Sequence, residues 1–358
     1  MIYHLTFRIP TLACLVYRAT LTIDTAKHRK LEIHSTRLFP KHKGAHLYQV
    51  TGIAARCDWI LLSDDYPPHT HLIRQREGSP RTVFVSLRSP FHALAHFFKQ
   101  VLPCIHNRFT LISGSEDVTL PLQNDHRWRQ YTEEENAIIA AILNDERLIT
   151  WAAENLVSTN HPRWQPLPLG MLPHDLDSDP LQGLGNRLAL AQRPTRILCA
   201  HRLHQGPQWQ QRRQVSKICS DAWRYHCSVI EREVPPGTFK TLIHSHSFVI
   251  CASGGGIDPC PKAWQVMLEG SIPIICGSGL DNAYMQLPVI ILPEWKPEMI
   301  NYQRLKQWKS MLQPYYMEQY PQVRHRLTLN YWWDQILAPT AQIANTELAI
   351  AVNGCDGI

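Results

Sequence analysis

The sequence lacks any run of about 20 apolar residues, the length that a helix needs to cross a membrane. We also expect no secretory leader, because the first apolar stretch, 12–16, is short and charged residues flank it. Internal repeats and low-complexity tracts are missing as well. These absences lead us to expect a cytoplasmic protein, or one trimmed of a membrane anchor, with peripheral contact to a membrane surface left open.

Charge and cysteine patterns exclude further classes of protein. The ten cysteines show neither a CxxC pair nor the spacing of a disulfide framework, which favours a reducing compartment. Only 18% of residues are charged, the net charge is +6, and no Lys/Arg-rich run occurs. Nucleic acid is therefore not an expected partner, whereas an anionic ligand such as a nucleotide diphosphate is compatible. With 44% hydrophobic residues, the 358-residue chain can form two globular domains.

Two sets of residues have side chains that can bind metal ions but lack the arrangement of a metal site. His244, His246, Cys251 and Cys260 include no CxxC or HxxxH pair, which is typical of tetrahedral sites. Asp175, Asp177 and Asp179 follow a DxD pattern but lie in a Pro-flanked segment and not at a strand end. We therefore expect no metal centre.

Short apolar runs alternate with helical stretches from residue 58 onward, which is typical of parallel sheets covered by helices. The runs WILLS, TVFVSL and FTLIS precede a segment rich in Pro, Gly and Asp, and ILCA follows it. The sequence TEEE predicts a capped helix start. We predict an α/β protein with an N-terminal domain that begins with strands (1–180), a second α/β domain (181–320), and a closing helix with a loosely held tail (321–358).

The most informative segment joins two apolar strands, 248–251 and 272–276, through three consecutive glycines and a helix. This strand–loop–helix–strand order offers main-chain N–H groups and a helix N-terminus to a phosphate. Glycine suits such a loop because, without a Cβ atom, the main chain can turn sharply and approach a ligand closely. The segment therefore predicts an anion site.

The helix after the glycines has two distinct faces at 3.6-residue spacing. Lys262 and Gln265 share one face, where the lysine could meet an anion and the amide could bind sugar hydroxyls. Trp264, Met267 and Leu268 share the other face, which indicates core packing. An ordinary crossover turn with a solvated Lys262 is the alternative, since neither GxxxxGK[ST] nor GxGxxG occurs.

The same segment resembles the nucleotide-sugar-binding motif of exostosin-like glycosyltransferases, the family 47 type with its ribitol-xylosyltransferase-like, bacterial and viral relatives. The matching positions are Ser247, Phe248, Gly254, Gly256, Asp258, Lys262, Trp264, Gln265, Leu268, Gly270, Ile272, Pro273 and Ile274. Further patches at 111–121, at 143–155 with 161–171, and at Arg212 and Arg213 are similar to segments of that family. The resemblance extends over residues 55–300.

The resemblance implies a GT-B fold, in which two Rossmann-like domains face a cleft and a helix closes the chain. It also implies transfer of a sugar from a nucleotide sugar, a UDP-sugar in the first place, to a saccharide hydroxyl, with inversion and without a metal or other cofactor. The donor contacts that we expect are Ser253, Gly254, Gly255, Gly256, Asp258, Lys262 and Gln265, together with one of Arg202, Arg212 or Arg213. For the arginines, a surface ion pair is the alternative. Asn155 and His161 are the implied acceptor contacts.

An inverting transfer needs a base that removes the acceptor hydroxyl proton. Asp117 is the first candidate, because it follows an apolar strand within one of the resembling patches. Asp64 and Asp65 follow the strand WILLS and are the second candidates. For each of them the alternative is an acid that caps a helix or stabilises a turn.

Two positions depart from the family motif. Lys262 stands where the family has arginine, Gln265 stands where it has glutamate, and one extra residue separates Asp258 from Trp264. Lysine cannot clamp a diphosphate bidentately, and an amide accepts more weakly from ribose hydroxyls than a carboxylate does. Three functions therefore remain open: an active glycosyltransferase, a catalytically weak or inactive carbohydrate- or nucleotide-binding pseudoenzyme, and a nucleotide-binding subunit that works with a partner transferase.

Overall fold

A computed structural model describes residues 32–38, 44–65, 68–171, 188–259 and 261–354 of the chain, with side chains up to residue 342. The chain divides into two units, Met1–Lys30 and Leu31–Ile358, and all described residues belong to the second. The strands predicted before residue 31, the acids Asp175, Asp177 and Asp179, and Cys260 lie outside the described residues.

The N-terminal half contains a six-stranded sheet with the order β2-β1-β3-β4-β5-β6. All neighbouring strands are parallel except β1 and β2, which form an antiparallel edge pair. The strands are β1 (Trp59–Asp65), β2 (Pro68–Arg74), β3 (Thr82–Ser86), β4 (Phe109–Gly114), β5 (Leu148–Ala153) and β6 (Trp164–Pro166). Every residue of β3 and β4 is buried, as expected of central parallel strands covered on both faces.

Two helices flank this sheet, α1 (Pro90–His96) and α2 (Glu133–Asn144). The capped start predicted from TEEE is confirmed: the Thr132 side chain accepts from the N–H of Glu135, whose carboxylate accepts from the N–H of Thr132. The helix α2 buries isoleucines and a leucine on one face, so that the sequence pattern and the packing agree.

The C-terminal half contains a five-stranded parallel sheet with the order β11-β10-β9-β7-β8. Its strands are β7 (Ile197–Ala200), β8 (Cys227–Ile230), β9 (Phe248–Ile250), β10 (Ile272–Cys276) and β11 (Ile290–Leu292). Its helices are α3 (Gln210–Ser220), α4 (Pro236–His244), α5 (Pro261–Leu268) and α6 (Asp281–Tyr284). The predicted α/β class, with two Rossmann-like sheets, is confirmed.

Three helices end the chain: α7 (Tyr302–Leu312), α8 (Tyr320–Arg326) and α9 (Leu329–Gly354). The helix α9 returns to the first sheet, where the Thr340 hydroxyl lies 3.3 Å from that of Thr110 and the side chain of Gln165 donates to O of Gln335 at 2.9 Å. The helix α9 continues through Pro339 to Gly354, and the loose hold of the tail stays a prediction. No helix of the described residues combines the length and apolarity needed to cross a membrane.

Residues 32–38 connect the two halves. The N–H of His34 donates to O of Leu327 at 3.0 Å, and the N–H of Thr36 donates to O of Leu169 at 3.1 Å. The ring of His34 packs 6.1 Å from Trp264 of α5. The burial of this ring lowers the pKa of His34 to about 4, so the contact is that of a neutral side chain. The segment thus contacts residues of both halves.

Candidate functional site

The loop at residues 253–258, which we call the glycine loop, follows β9 and touches the N-terminal half at positions without room for a side chain. A Cβ atom on Gly255 would lie 1.8 Å from Nη2 of Arg127 and 2.2 Å from Oδ2 of Asp117. A Cβ atom on Gly256 would lie 2.1 Å from Oδ1 of Asn155. Glycine at these two positions therefore permits the close approach of the halves.

Asn155 holds the glycine loop from the opposite half. Its Oδ1 accepts from the N–H of Ile257 at 2.9 Å and from the N–H of Asp258 at 3.1 Å, while Nδ2 donates to O of Glu116 at 3.1 Å. The residue has a φ of 53°, in the left-handed region that asparagine tolerates better than most residues. Asn155 thus joins the halves, and its predicted contact with an acceptor stays a prediction.

Asp258 is buried among donors of the protein itself. Its Oδ2 accepts from the N–H of Leu169 at 3.0 Å, and both carboxylate oxygens lie 3.1 Å from the Tyr284 hydroxyl. Buried carboxylates with such partners commonly stabilise a fold. The Asp258 side chain is thus turned toward the protein interior, and its predicted contact with the donor stays a prediction.

The main-chain N–H groups of the glycine loop differ in whether they have a hydrogen-bond acceptor. The N–H of Ser253 donates to Oε1 of Gln211 at 3.2 Å, and the Ser253 hydroxyl donates to O of Ile257 at 2.9 Å. Within the described part of the chain, no group accepts a hydrogen bond from the N–H groups of Gly254, Gly255 or Gly256. These N–H groups are therefore left to donate to solvent or to a ligand.

A cavity of about 350 Å³ lies at the carboxyl end of β7. It has a predominantly cationic lining, with four arginine or lysine side chains against a single carboxylate. Its lining residues are Ala200, His201, Arg202, Arg212, Arg232, Glu233, Val234, Pro236, Phe239, Lys262 and Gln265. Four predicted donor contacts therefore meet here, namely Arg202, Arg212, Lys262 and Gln265, whereas Arg213 donates instead to O of His204 at 2.7 Å.

The first turns of α5 place two polar side chains on the cavity wall. Nζ of Lys262 donates to O of Ala200 at 2.6 Å and lies 5.9 Å from the centre of the Phe239 ring. Gln265 follows one turn later on the same face, as the 3.6-residue spacing predicted. Trp264 is fully buried, and its Nε1 donates to O of Leu327 at 3.2 Å, so its predicted core position is confirmed.

Arginines approach the cavity from two elements. Nε of Arg212, on α3, donates to O of Ser253 at 2.9 Å, which joins the cavity wall to the glycine loop. Arg202 follows β7 and pairs with Glu233. Since both partners of this pair are largely exposed, an anionic ligand can compete with Glu233 at small cost.

His201 is a member of the cavity wall that sequence reasoning missed. Its Nε2 lies 2.9 Å from the Ser216 hydroxyl and 3.1 Å from O of Arg212. Burial and then the charge of Lys262 lower the pKa of His201 to about 3, so the ring is neutral at physiological pH. Arg232 and Phe239 were missed as well, because they lie in segments without a recognisable motif.

Asp117 lies beside the glycine loop on the other half. Its carboxylate pairs with Arg37 at 2.7 Å and with Arg127 at 2.8 Å. Burial by itself would raise the pKa of Asp117, but the two positive charges outweigh it and hold the pKa well below the ordinary value. A carboxylate held in this way is a weak proton acceptor, so the ion pairs weigh against the general-base role, which stays a prediction.

Glu154, which the sequence did not single out, follows β5 and is fully buried. Its Oε1 accepts from the N–H of Glu116 at 2.9 Å and lies 3.8 Å from Nη2 of Arg37, and its other oxygen accepts from Thr36. Burial raises the pKa of Glu154 to about 7, against the opposing charge of Arg37. Glu154 thus lies beside Arg37, the same arginine that pairs with Asp117.

Asp64, Asp65 and His161, the other predicted residues of the N-terminal half, form hydrogen bonds within that half. Asp64 is buried at the end of β1, where its Oδ2 accepts from the Tyr48 hydroxyl at 2.5 Å and its Oδ1 accepts from the N–H of Asp65 at 2.8 Å. His161 forms a turn ahead of β6, where its Nδ1 accepts from the N–H of Arg163 at 3.3 Å. Because β5 and β6 are parallel, that turn lies at the sheet edge opposite to Asn155. The structure therefore separates His161 from the predicted site.

Comparison with known proteins is uninformative about a family. The sequence matches no family model, and it matches no curated protein. Among solved structures it is similar to a sucrose-phosphate synthase from Thermosynechococcus elongatus, with 11% sequence identity, a TM-score of 0.38, and coverage of 75% of this chain and 74% of that chain. A likeness at this score and identity assigns neither family nor function.

Proposed function

We propose that the protein is a glycosyltransferase of the exostosin-like type that binds a nucleoside-diphosphate sugar, a UDP-sugar in the first place. The observation that carries the proposal is that one side chain, Arg212, lines the cationic cavity and also donates a hydrogen bond to the glycine loop. A nucleoside diphosphate has the matching chemistry, with two phosphates for the cations and the glycine N–H groups. The sequence motif and this cavity meet at the same residues.

The cavity suggests how the donor lies. The diphosphate takes the positions nearest Lys262, Arg212 and the glycine loop, where positive charge is concentrated. Gln265 offers a neutral amide to the ribose hydroxyls, and Phe239 with Pro236 gives the base an apolar wall. The sugar then extends toward the N-terminal half, from which a saccharide acceptor approaches.

In the reaction that we propose, the acceptor hydroxyl oxygen forms a bond to the anomeric carbon while the bond from that carbon to the phosphate oxygen breaks. The electron pair leaves with the nucleoside diphosphate, and the hydroxyl proton passes to a carboxylate. Asp117 is the proposed base, since it is the predicted acid that contacts the glycine loop, and Asp64 or Asp65 is the second choice. Protein cations and main-chain N–H groups neutralise the leaving group, so the chemistry requires no divalent ion.

A second function, a nucleotide-binding pseudoenzyme, is favoured by one observation. Asp117 is paired with two arginines, which disfavours proton uptake. Gln265 adds to this argument, because it accepts more weakly than the carboxylate of the family motif. The two functions share the donor cavity and differ in turnover.

Calorimetric titration with UDP and UDP-sugars tests the proposal. We expect the Lys262→Ala variant to bind UDP about 10- to 100-fold more weakly, because it loses charge-assisted hydrogen bonds to the diphosphate. Lys217→Ala removes the same charge from an exposed position of α3 and should leave the affinity unchanged. Asp117→Asn should abolish sugar transfer or donor hydrolysis and spare UDP binding.

The outcomes separate the candidates. Absence of nucleotide binding by the wild-type protein would remove both functions. Tight UDP binding without transfer or hydrolysis of any UDP-sugar would favour the pseudoenzyme. Equal UDP affinity of the Lys262→Ala and wild-type proteins would remove the proposed donor site even if the protein were active.

A further inference from the structure

Two arginines from opposite halves of the molecule flank the glycine loop. Nη2 of Arg212 lies 3.2 Å from the position of a Cβ atom on Gly254, and Nη2 of Arg127 lies 1.8 Å from that of a Cβ atom on Gly255. Both guanidinium groups contact the ring of Trp209, with Arg127 at 5.7 Å and Arg212 at 5.0 Å from its centre. The loop therefore has a cation on each side, and one belongs to the N-terminal half.

Arg127 is held in place without using all of its donors. Nε and Nη2 donate to the carboxylate of Asp125, at 2.9 Å and 2.5 Å, and Nη2 also donates to Asp117 at 2.8 Å. No described residue accepts a hydrogen bond from its Nη1. The side chain is 42% exposed, whereas Asp125 is fully buried. The buried carboxylate thus orients a guanidinium group that still has an edge for another ligand.

Carboxylates fix the position of Arg127 beside the glycine loop. Asp117, its partly exposed partner, shares its charge with Arg37 at 2.7 Å. Arg37 also lies 3.9 Å from Glu116 and 3.8 Å from Glu154, so the carboxyl groups around the two arginines outnumber them. Nη2 of Arg127 and Oδ2 of Asp117 are the side-chain atoms that meet the Gly255 position, at 1.8 Å and 2.2 Å from its Cβ. A diphosphate on this loop gains charge as the sugar leaves, and a preorganised cation nearby then stabilises it most.

We infer that Arg127 binds the diphosphate of the donor from the acceptor-side half, opposite Arg212. The inference rests on the proposed function and adds a residue that neither the motif nor the cavity contains. It also gives the contact between the halves a role, since the second cation reaches the leaving group only while Arg127 lies against the glycine loop. Arg127 then acts on diphosphate binding and leaves nucleoside recognition to the cavity.

Comparison of UDP with UMP tests the inference. We expect Arg127→Ala to weaken UDP binding by about 10-fold or more, and UMP binding by less than about threefold, because only the distal phosphate loses a partner. Arg127→Lys keeps the charge without the fork and should give an intermediate affinity for UDP. Arg129→Ala is the matched control, since Arg129 pairs with the nearby Glu135 and lies over Phe91.

Each outcome is decisive. Equal losses for UDP and UMP in Arg127→Ala would assign a structural role and overturn the inference, as would UDP affinity within twofold of the wild type. If Arg127→Ala unfolds, Arg127→Lys decides, and equal binding of UDP by this variant and the wild type overturns the inference. Absence of UDP binding by the wild-type protein removes the proposed function itself, and the inference with it.

Discussion

Replacement of Glu154 by glutamine should change how the stability of the protein depends on pH. The carboxyl group is fully buried, and burial raises its pKa from 4.5 to about 7 despite the charge of Arg37 at 3.8 Å. Between these two values the folded protein keeps a proton that the unfolded chain has released. The free energy of unfolding must therefore fall as the pH rises through this window, and the loss is complete above the folded pKa.

The size of the effect follows from the two pKa values. The difference between 4.5 and about 7 corresponds to roughly 3 kcal/mol of lost stability. Glu154→Gln stays neutral and removes this loss, while its amide oxygen can still accept from the N–H of Glu116 and its amide nitrogen can donate to Thr36. We expect the variant to match the wild type more closely near pH 5 and to be more stable than it by up to about 3 kcal/mol near pH 8.

Urea unfolding at several pH values between about 5 and about 8 measures this directly. The other titrating groups contribute equally to both proteins and cancel in the difference between them. Glu146→Gln, at an exposed position, is the control and should keep the wild-type dependence. If Glu154→Gln and the wild type lost stability in parallel over this range, the argument from burial would be wrong.

Two further stability predictions follow from packing. Trp264→Ala should lower the free energy of unfolding by about 3–5 kcal/mol, because it empties a fully buried position. Tyr225→Ala, at a side chain that is 72% exposed, should change it by less than about 0.5 kcal/mol. Equal effects of the two changes in urea titration would contradict the assigned core. Gly256→Ala should cost about 1–3 kcal/mol because its Cβ would lie 2.1 Å from Oδ1 of Asn155, and the double variant with Asn155→Ala should cost less than the sum of the single changes. Additive costs in that cycle would show that the two residues do not clash.

Much of the fold could be predicted because its signals are local. Continuous apolar runs predicted the buried parallel strands, and TEEE predicted the capped start of α2. The 3.6-residue pattern placed Trp264 in the core and Lys262 with Gln265 on the opposite face, where they line the cavity.

Which residues form the site depends on contacts between residues that are far apart in the sequence. Asn155 forms a hydrogen bond with Ile257 of the glycine loop, 102 positions away in the sequence. No periodicity in the sequence predicts such a pairing. The orientation of parallel strands likewise placed His161 at the far edge of the sheet. Asp117 pairs with Arg37, which precedes it in the sequence, and with Arg127, which follows it. The strand-end pattern that singled out Asp117 gave no sign of either arginine.

The sequence by itself thus determined the elements of this protein and the faces of its helices, because hydrophobic spacing and capping act over a few residues. Only the tertiary structure decided which side chains meet at the glycine loop and which carboxyl groups carry a shifted pKa. Both depend on tertiary packing, which sets distances and burial between residues far apart in the chain.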